Sequence, residues 1–152
     1  MIFGKSNPVP NAGLKAFFAE NVTPEENLRF VASKRFVGDD GKPVEWVMQC
    51  ITSDEDESLR KESTKRIPIV GKRGQFTSET DIDLYLGKLA VKCTAFPLLH
   101  DADLQNSYGV MGAEALLKKM LLPGEYANYL AKVQEVNGFD VSFEELVDEA
   151  KN

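Results

Sequence analysis

Phe36-Val37-Gly38-Asp39-Asp40-Gly41-Lys42-Pro43-Val44-Glu45-Trp46-Val47-Met48-Gln49-Cys50 is the stretch on which the fold turns. Val44, Trp46, Met48 and Cys50 alternate with Glu45, Val47 and Gln49, the period of two that marks a strand with one buried face. Asp40-Gly41 lies between β-branched and aromatic runs, and both residues tolerate positive φ, so the stretch predicts a hairpin. With Leu28–Val31 and Arg35–Val37 upstream, residues 28–51 carry the strand content of the chain. A lone two-stranded ribbon is marginal in water. The hairpin must therefore pack on helices or pair with another chain, and its unpaired edges offer a subunit contact.

Helical signals lie on both sides of this stretch. Thr52-Ser53-Asp54-Glu55 reads as a cap followed by first-turn acids that complement the helix dipole, and predicts a helix to about Lys65. Ile67–Phe76, with Gly71 and Gly74, reads as an extended loop. Thr77 or Ser78 would cap a helix whose face is Ile82, Tyr85, Leu86, Leu89, Ala90 and Cys93, ended by Pro97. A short helix around Asp101–Ser107, one carrying Leu116, Leu117, Met120 and Leu121, and one opened by Pro123 and closed by Gly138 follow. Ser142-Phe143-Glu144-Glu145 forms a capping box for a last helix with Phe143, Leu146, Val147 and Ala150 on one face. Upstream, Asn11 would cap a short helix bearing Leu14, Phe17 and Phe18, and residues 1–10, with Gly4, Pro8 and Pro10, read as a flexible arm. The expectation is an α+β, predominantly α-helical fold: about five to seven helices plus one β-hairpin near residues 28–51, in a single domain over 11–152.

The chain has 152 residues, 18 Lys and Arg against 24 Asp and Glu, and a formal charge of −6. No apolar run approaches the roughly 20 residues a membrane span needs. Two cysteines are too few for a disulfide framework, and the first residues lack a basic stretch followed by an apolar core, so a cytoplasmic protein is expected. The charge is unevenly spread. Residues 1–76 carry 12 basic and 11 acidic side chains, a net of +1; residues 77–152 carry 6 and 13, a net of −7. The acidic half disfavours a role resting on attraction to a nucleic-acid backbone. Against this background Arg60, Lys61, Lys65, Arg66, Lys72 and Arg73 stand out, facing the single acid Glu62. That stretch is either a solvated helix end and loop or, with Phe76, a docking surface for an acidic or helical partner.

Little in the sequence points to catalysis. His100 is the only histidine and has no evident partner, and Cys50 and Cys93 are 43 positions apart with no CxxC, far from the clustered ligands of a zinc site. Gly71-Lys72-Arg73-Gly74 lacks P-loop spacing, and Gly109-Val110-Met111-Gly112 lacks the preceding strand of a dinucleotide fingerprint. Asp54-Glu55-Asp56-Glu57 lacks the alternate ligands and central glycine of a calcium loop. Residues 101–122 have a helix–Gly–helix form, yet the second helix offers only Lys118 and Lys119 for groove reading.

An ordered set of segments carries a family resemblance: Ser33-Lys34-Arg35-Phe36-Val37, Asp40-Gly41-Lys42-Pro43-Val44-Glu45-Trp46, Ile51-Thr52-Ser53, Leu59-Arg60-Lys61-Glu62, Tyr85-Leu86-Gly87-Lys88-Leu89-Ala90, Leu104–Glu114, Leu121–Tyr126 and Val136-Asn137-Gly138-Phe139. Over about residues 11–151 the chain resembles the XkdN-like phage tail assembly chaperones. The resemblance implies a non-enzymatic (pro)phage protein of the bacterial host cytoplasm, without cofactor or metal. It implies binding to the tape measure protein while tube subunits polymerise, absence from the mature virion, and a link to the tail tube protein through a longer frameshifted product. Shielding a long amphipathic helix favours repeated grooves and hence self-association. The rival readings are a DNA-binding regulator using residues 101–122 and the basic stretch 60–73, a structural tail component, and a small enzyme with an unrecognised site. The tape-measure reading predicts that Leu59–Phe76, together with the hairpin, forms part of the contact surface.

Overall fold

A computed structural model describes residues 13–139. The elements run β1 (Leu28–Phe30), β2 (Trp46–Met48), α1 (Ser53–Glu62), β3 (Thr64–Pro68), β4 (Phe76–Thr80), α2 (Ile82–Cys93), β5 (Thr94–Phe96), α3 (Ala102–Ser107), α4 (Ala113–Met120) and α5 (Pro123–Val136), with a 3-10 turn over Gly13–Phe17 before them. The expected arm at 1–10, the cap at Asn11 and the helix opened by Ser142 lie outside the described residues.

The alternating stretch buries the face it announces: Trp46 and Met48 are inside, with Val47 between them only partly covered. Its pairing differs from expectation. The Asp40-Gly41 turn forms, with Gly41 at φ +77°, but it closes only one bridge, Val37 to Pro43. The Gly38 N–H donates to Lys42 O at 2.9 Å and the Val44 N–H to Phe36 O at 2.8 Å, and the pairing goes no further. The main-chain partner of β2 is β1, antiparallel, with Arg29 opposite Val47. On its other side β2 pairs with β5, which follows α2 directly. The expected hairpin is thus the middle of a three-stranded sheet ordered β1-β2-β5.

A second sheet appears where a helix end and a loop were expected. α1 opens on the predicted capping box, Thr52 Oγ1 accepting from the Glu55 N–H and Glu55 Oε1 accepting from the Thr52 N–H. It stops at Glu62, short of Lys65, because hydroxyl side chains take the last carbonyls. Ser63 Oγ donates to Leu59 O and Thr64 Oγ1 to Arg60 O, each at 2.9 Å. The chain then runs into β3, which pairs antiparallel with β4. Thr77 and Ser78 are strand residues in β4; the cap of α2 is Asp81, whose Oδ1 accepts the Leu84 N–H at 3.2 Å. Helix accounts for 43% and strand for 17% of the described residues. The fold is therefore mixed α+β with two small sheets, and the expectation of a predominantly helical chain is wrong. The error lies at residues 63–80 and 94–96, short segments whose strand state depends on a partner strand rather than on periodicity.

The helices α2, α4 and α5 pack around the inner face of the three-stranded sheet. Leu89, Ala90 and Cys93 from α2, Leu116 and Leu117 from α4, and Tyr129 and Val133 from α5 are buried together with Trp46 and Met48. Tyr129 meets Trp46 edge-on with centroids 5.4 Å apart and Phe30 at 5.7 Å. Asn137, at the end of α5, ties the layers together. Its Oδ1 accepts the Ile51 N–H at 2.9 Å, and its Nδ2 donates to Val133 O at 2.8 Å and contacts Cys93 Sγ at 3.2 Å. Pro123 occupies the first turn of α5 as the sequence predicts, and Glu125 Oε1 accepts the Leu122 N–H at 2.8 Å. Arg35 crosses from the β1–β2 connection to donate to Met120 O at 2.6 Å, between α4 and α5.

Candidate partner-binding surface

The ribbon β3–β4 stands out because almost nothing covers it. Of its strand residues only Ile67 and Thr80 are partly buried; the rest face solvent. Its base is fixed: the Asp81 N–H donates to Ser63 O at 2.8 Å, and Asp81 Oδ2 lies 2.9 Å from Lys65 Nζ. The same ion pair holds the Lys65 ammonium above its ordinary range and the Asp81 carboxyl below its own. Asp81 therefore anchors the ribbon to α2 while capping that helix. At the far end Ile69 donates to Gln75 O and two glycines at positive φ, Gly71 at +82° and Gly74 at +77°, reverse the chain. Val70, at the tip, is 98% exposed. A two-stranded ribbon with no buried face and free edges is a template for a partner strand.

The predicted contact residues divide into two groups. Lys65, Arg66, Lys72, Arg73 and Phe76 all lie on the ribbon. Arg66 lies over the Phe76 ring, 4.3 Å from its centroid, and Phe76 is 47% exposed. Lys72 and Arg73 occupy the exposed tip. Arg60 and Lys61 sit instead on the last turn of α1. Lys61 pairs with Glu57 at 3.3 Å. Arg60 belongs to the scaffold: its Nε donates to Asp56 at 2.9 Å and its guanidinium lies 4.6 Å from the Tyr85 ring centroid. Tyr85 in turn donates its hydroxyl proton to Asp56. Burial, and after it that bond to a carboxylate, pushes the Tyr85 hydroxyl up to about 12.

A second group of exposed apolar side chains lies near the start of the described residues. Leu14, Phe17 and Phe18, expected on one face of a short helix, are exposed on and just after the 3-10 turn, as is Val22 further on. Exposed apolar side chains of this size are candidates for contact with a partner. Periodicity could not reveal this, because a core face and a docking face have the same spacing.

The residues weighed for catalysis are dispersed. His100 is exposed on the wall of an open cleft with Glu55, Glu62, Lys88, Lys92 and Glu114, where Lys92 pairs with Glu55 at 3.5 Å and Lys88 with Glu114 at 3.7 Å. Cys93 is buried, and burial pushes its thiol up to about 11. Cys50 is half-buried just past the end of β2. Among the described residues no three His, Cys, Asp or Glu side chains are grouped to hold a metal ion, and no helix is long and apolar enough to cross a membrane. Helix α4 buries Ala113, Leu116, Leu117 and Met120, and its first turn carries Glu114. That turn would have to enter a DNA groove in the helix–Gly–helix reading, and its charge opposes a phosphate backbone.

The described residues form a small mixed α+β fold, with an anchored, cation-bearing ribbon on one part of its surface and exposed apolar side chains at the 3-10 turn. A family model described as "Phage XkdN-like tail assembly chaperone protein" matches residues 14–151, and the chain belongs to that family. Among curated relatives, the "Phage-like element PBSX protein XkdN" of Bacillus subtilis (strain 168) is 33% identical over 139 residues, covering 90% of this chain and 93% of the relative. The protein YqbN of the same strain is 34% identical over 139 residues, covering 90% and 92%. A crystal structure of YqbN superposes with a TM-score of 0.71 at 30% identity, covering 84% of this chain and 97% of that one.

Proposed function

We propose that the chain binds the tape measure protein in the bacterial cytoplasm and keeps it soluble while tail tube subunits polymerise, leaving before the virion is complete. It does so by binding alone, without catalysis or cofactor, and more than one copy acts on each tape measure. The observation that carries this reading is the uncovered β3–β4 ribbon in a member of a tail assembly chaperone family. Its edges can accept an extended segment, and Arg66, Lys72 and Arg73 favour an acidic one. The apolar turn at Leu14, Phe17, Phe18 and Val22 supplies the hydrophobic cover that an amphipathic helix requires.

Co-expression with the tape measure protein encoded beside it tests the reading. Pull-down and size-exclusion chromatography should give a soluble complex with several copies of this chain, and purified particles should lack it. Failure to associate with any tail protein refutes the proposal, and copurification with mature particles makes it a structural tail component instead.

A further inference from the structure

The two edges of the β3–β4 ribbon are not equivalent. Its main-chain bonds begin where the Asp81 N–H donates to Ser63 O at 2.8 Å and end where the Ile69 N–H donates to Gln75 O at 3.1 Å. In an antiparallel pair, bonded and non-bonded positions alternate. Between these ends the bonded pairs are therefore Lys65 with Glu79 and Ile67 with Thr77. The other residues, Thr64, Arg66 and Pro68 on β3 and Phe76, Ser78 and Thr80 on β4, turn their main-chain groups outward. Pro68 has no N–H to offer, which blunts the β3 edge, whereas β4 presents an N–H and a C=O at all three positions. We propose that this β4 edge pairs antiparallel with the β4 edge of a second copy of the chain, across a two-fold axis at Ser78.

The edge is complementary to itself. An axis at Ser78 sets Phe76 opposite Thr80 of the other copy, an aromatic against a β-branched residue, and Thr77 opposite its Glu79, so no like charges face each other. Extending the register past Phe76 brings Gln75 to Asp81 of the other copy, and the tip with Lys72 and Arg73 to the start of its α2. Glu79 and Asp83 lie there, in a cleft shared with Ile67 and Ile82. Lys65 and Asp81, also in that cleft, are paired with one another at 2.9 Å. Lys72, Arg73, Glu79 and Asp83 have no ion-pair partner among the described residues. A two-fold contact joins these opposite charges at both of its ends. A foreign strand would meet the same edge, but a second copy carries the tip cations and the base acids in register. This pairing gives the several copies of the proposed function a contact, yet it does not rest on tape-measure binding, and either can fail without the other.

The test uses the full chain and no other protein. Sedimentation equilibrium at micromolar concentration should show a dimer. Ser78→Pro removes the outward N–H at the axis and leaves the β3–β4 bonds in place, so it should raise the dissociation constant roughly tenfold or more. Hydrogen exchange at the Ile69 and Asp81 amides reports whether the ribbon persists in that variant. In a Cys50→Ser background, the buried Cys93 being kept, Ser78→Cys should cross-link to itself under mild oxidation, and Arg66→Cys on the β3 edge should not. A monomeric chain would overturn the proposal, as would a dimer whose dissociation constant Ser78→Pro leaves unchanged. If the proline variant loses protection at Ile69 and Asp81, the cross-linking decides: Ser78→Cys linking no faster than Arg66→Cys overturns the pairing.

Discussion

Reversing the two tip cations, Lys72→Glu with Arg73→Glu, should separate partner capture from stability, with Arg60→Glu as the contrast. The tip residues are exposed, far from the core and within a turn whose glycines are untouched. Such surface changes stay within about 0.5 kcal/mol of neutral. Arg60→Glu removes a partly exposed ion pair to Asp56, about 0.2–1 kcal/mol, and a cation over Tyr85, about 0.5–1 kcal/mol. It also sets two carboxylates at i and i+4, which costs a few tenths of a kcal/mol more. The total is about 1–2 kcal/mol. For a domain of this size that is a fall in melting temperature of roughly 2–8 °C. Scanning calorimetry or circular dichroism reads the stability, and pull-down of co-expressed tape measure protein at moderate salt reads the capture. The tip double variant should melt within a couple of degrees of the parent and lose capture; Arg60→Glu should melt lower. Unchanged capture by the tip variant would refute the assignment of the ribbon, and an unchanged melting temperature for Arg60→Glu would refute the scaffold role of that residue.

Other consequences follow from the buried hydroxyls, the thiols and the turn. Thr94 Oγ1 donates to Ala90 O at 2.7 Å, so Tyr129 is the donor in the bond between the two hydroxyls. Tyr129→Phe then loses one hydrogen bond, about 1 kcal/mol, whereas Thr94→Val strands a buried phenol proton and should cost more, about 1–3 kcal/mol, by chemical denaturation. Burial pushes the Tyr129 hydroxyl up to about 12 from a normal value of 10.0. The protonated form is thus favoured in the fold, and its contribution is complete below pH 10. It should fall by about 1.4 kcal/mol per pH unit between pH 10 and 12, visible as alkaline destabilisation that Tyr129→Phe attenuates. With a thiol reagent at neutral pH, Cys50 should react first and Cys93 only as fast as the protein opens; equal rates would contradict the burial of Cys93. Gly71→Ala places a Cβ at φ +82° in open space, so it should destabilise the ribbon through backbone strain of about 1 kcal/mol and leave the core melting transition nearly unchanged.

Much of this molecule is legible in one dimension. The capping box at Thr52, the first-turn Pro123 and the buried faces of α2, α4 and α5 each depend on residues within a turn or two, so local chemistry specifies them. The alternation Trp46, Met48 likewise declares which side of β2 is inside. The basic stretch was visible as charge, and the ordered segments as a family. What local reading got wrong is equally specific. It paired β2 with its neighbour across Asp40-Gly41 because that turn chemistry is strong, but the pairing there ends at one bridge and the three-residue ladder of β2 is made with Leu28–Phe30. It ran α1 on to Lys65, since Arg60 and Lys61 suit a helix C-terminus, whereas the hydroxyls of Ser63 and Thr64 stop it.

By itself, then, the sequence determined the helices, the inward face of the central strand, the acidic and basic segments, and membership of a tail assembly chaperone family. Only the tertiary structure decided that residues 64–80 form a ribbon, that Thr94–Phe96 completes a sheet by pairing with a strand nearly 50 positions upstream, and that Arg60 braces Tyr85 while Lys72 and Arg73 lie exposed at a tip. The physical reason is the range of the interactions. Helix signals are satisfied within four residues, whereas a strand exists only when another strand meets it, and a cation becomes scaffold or surface according to what the fold sets beside it.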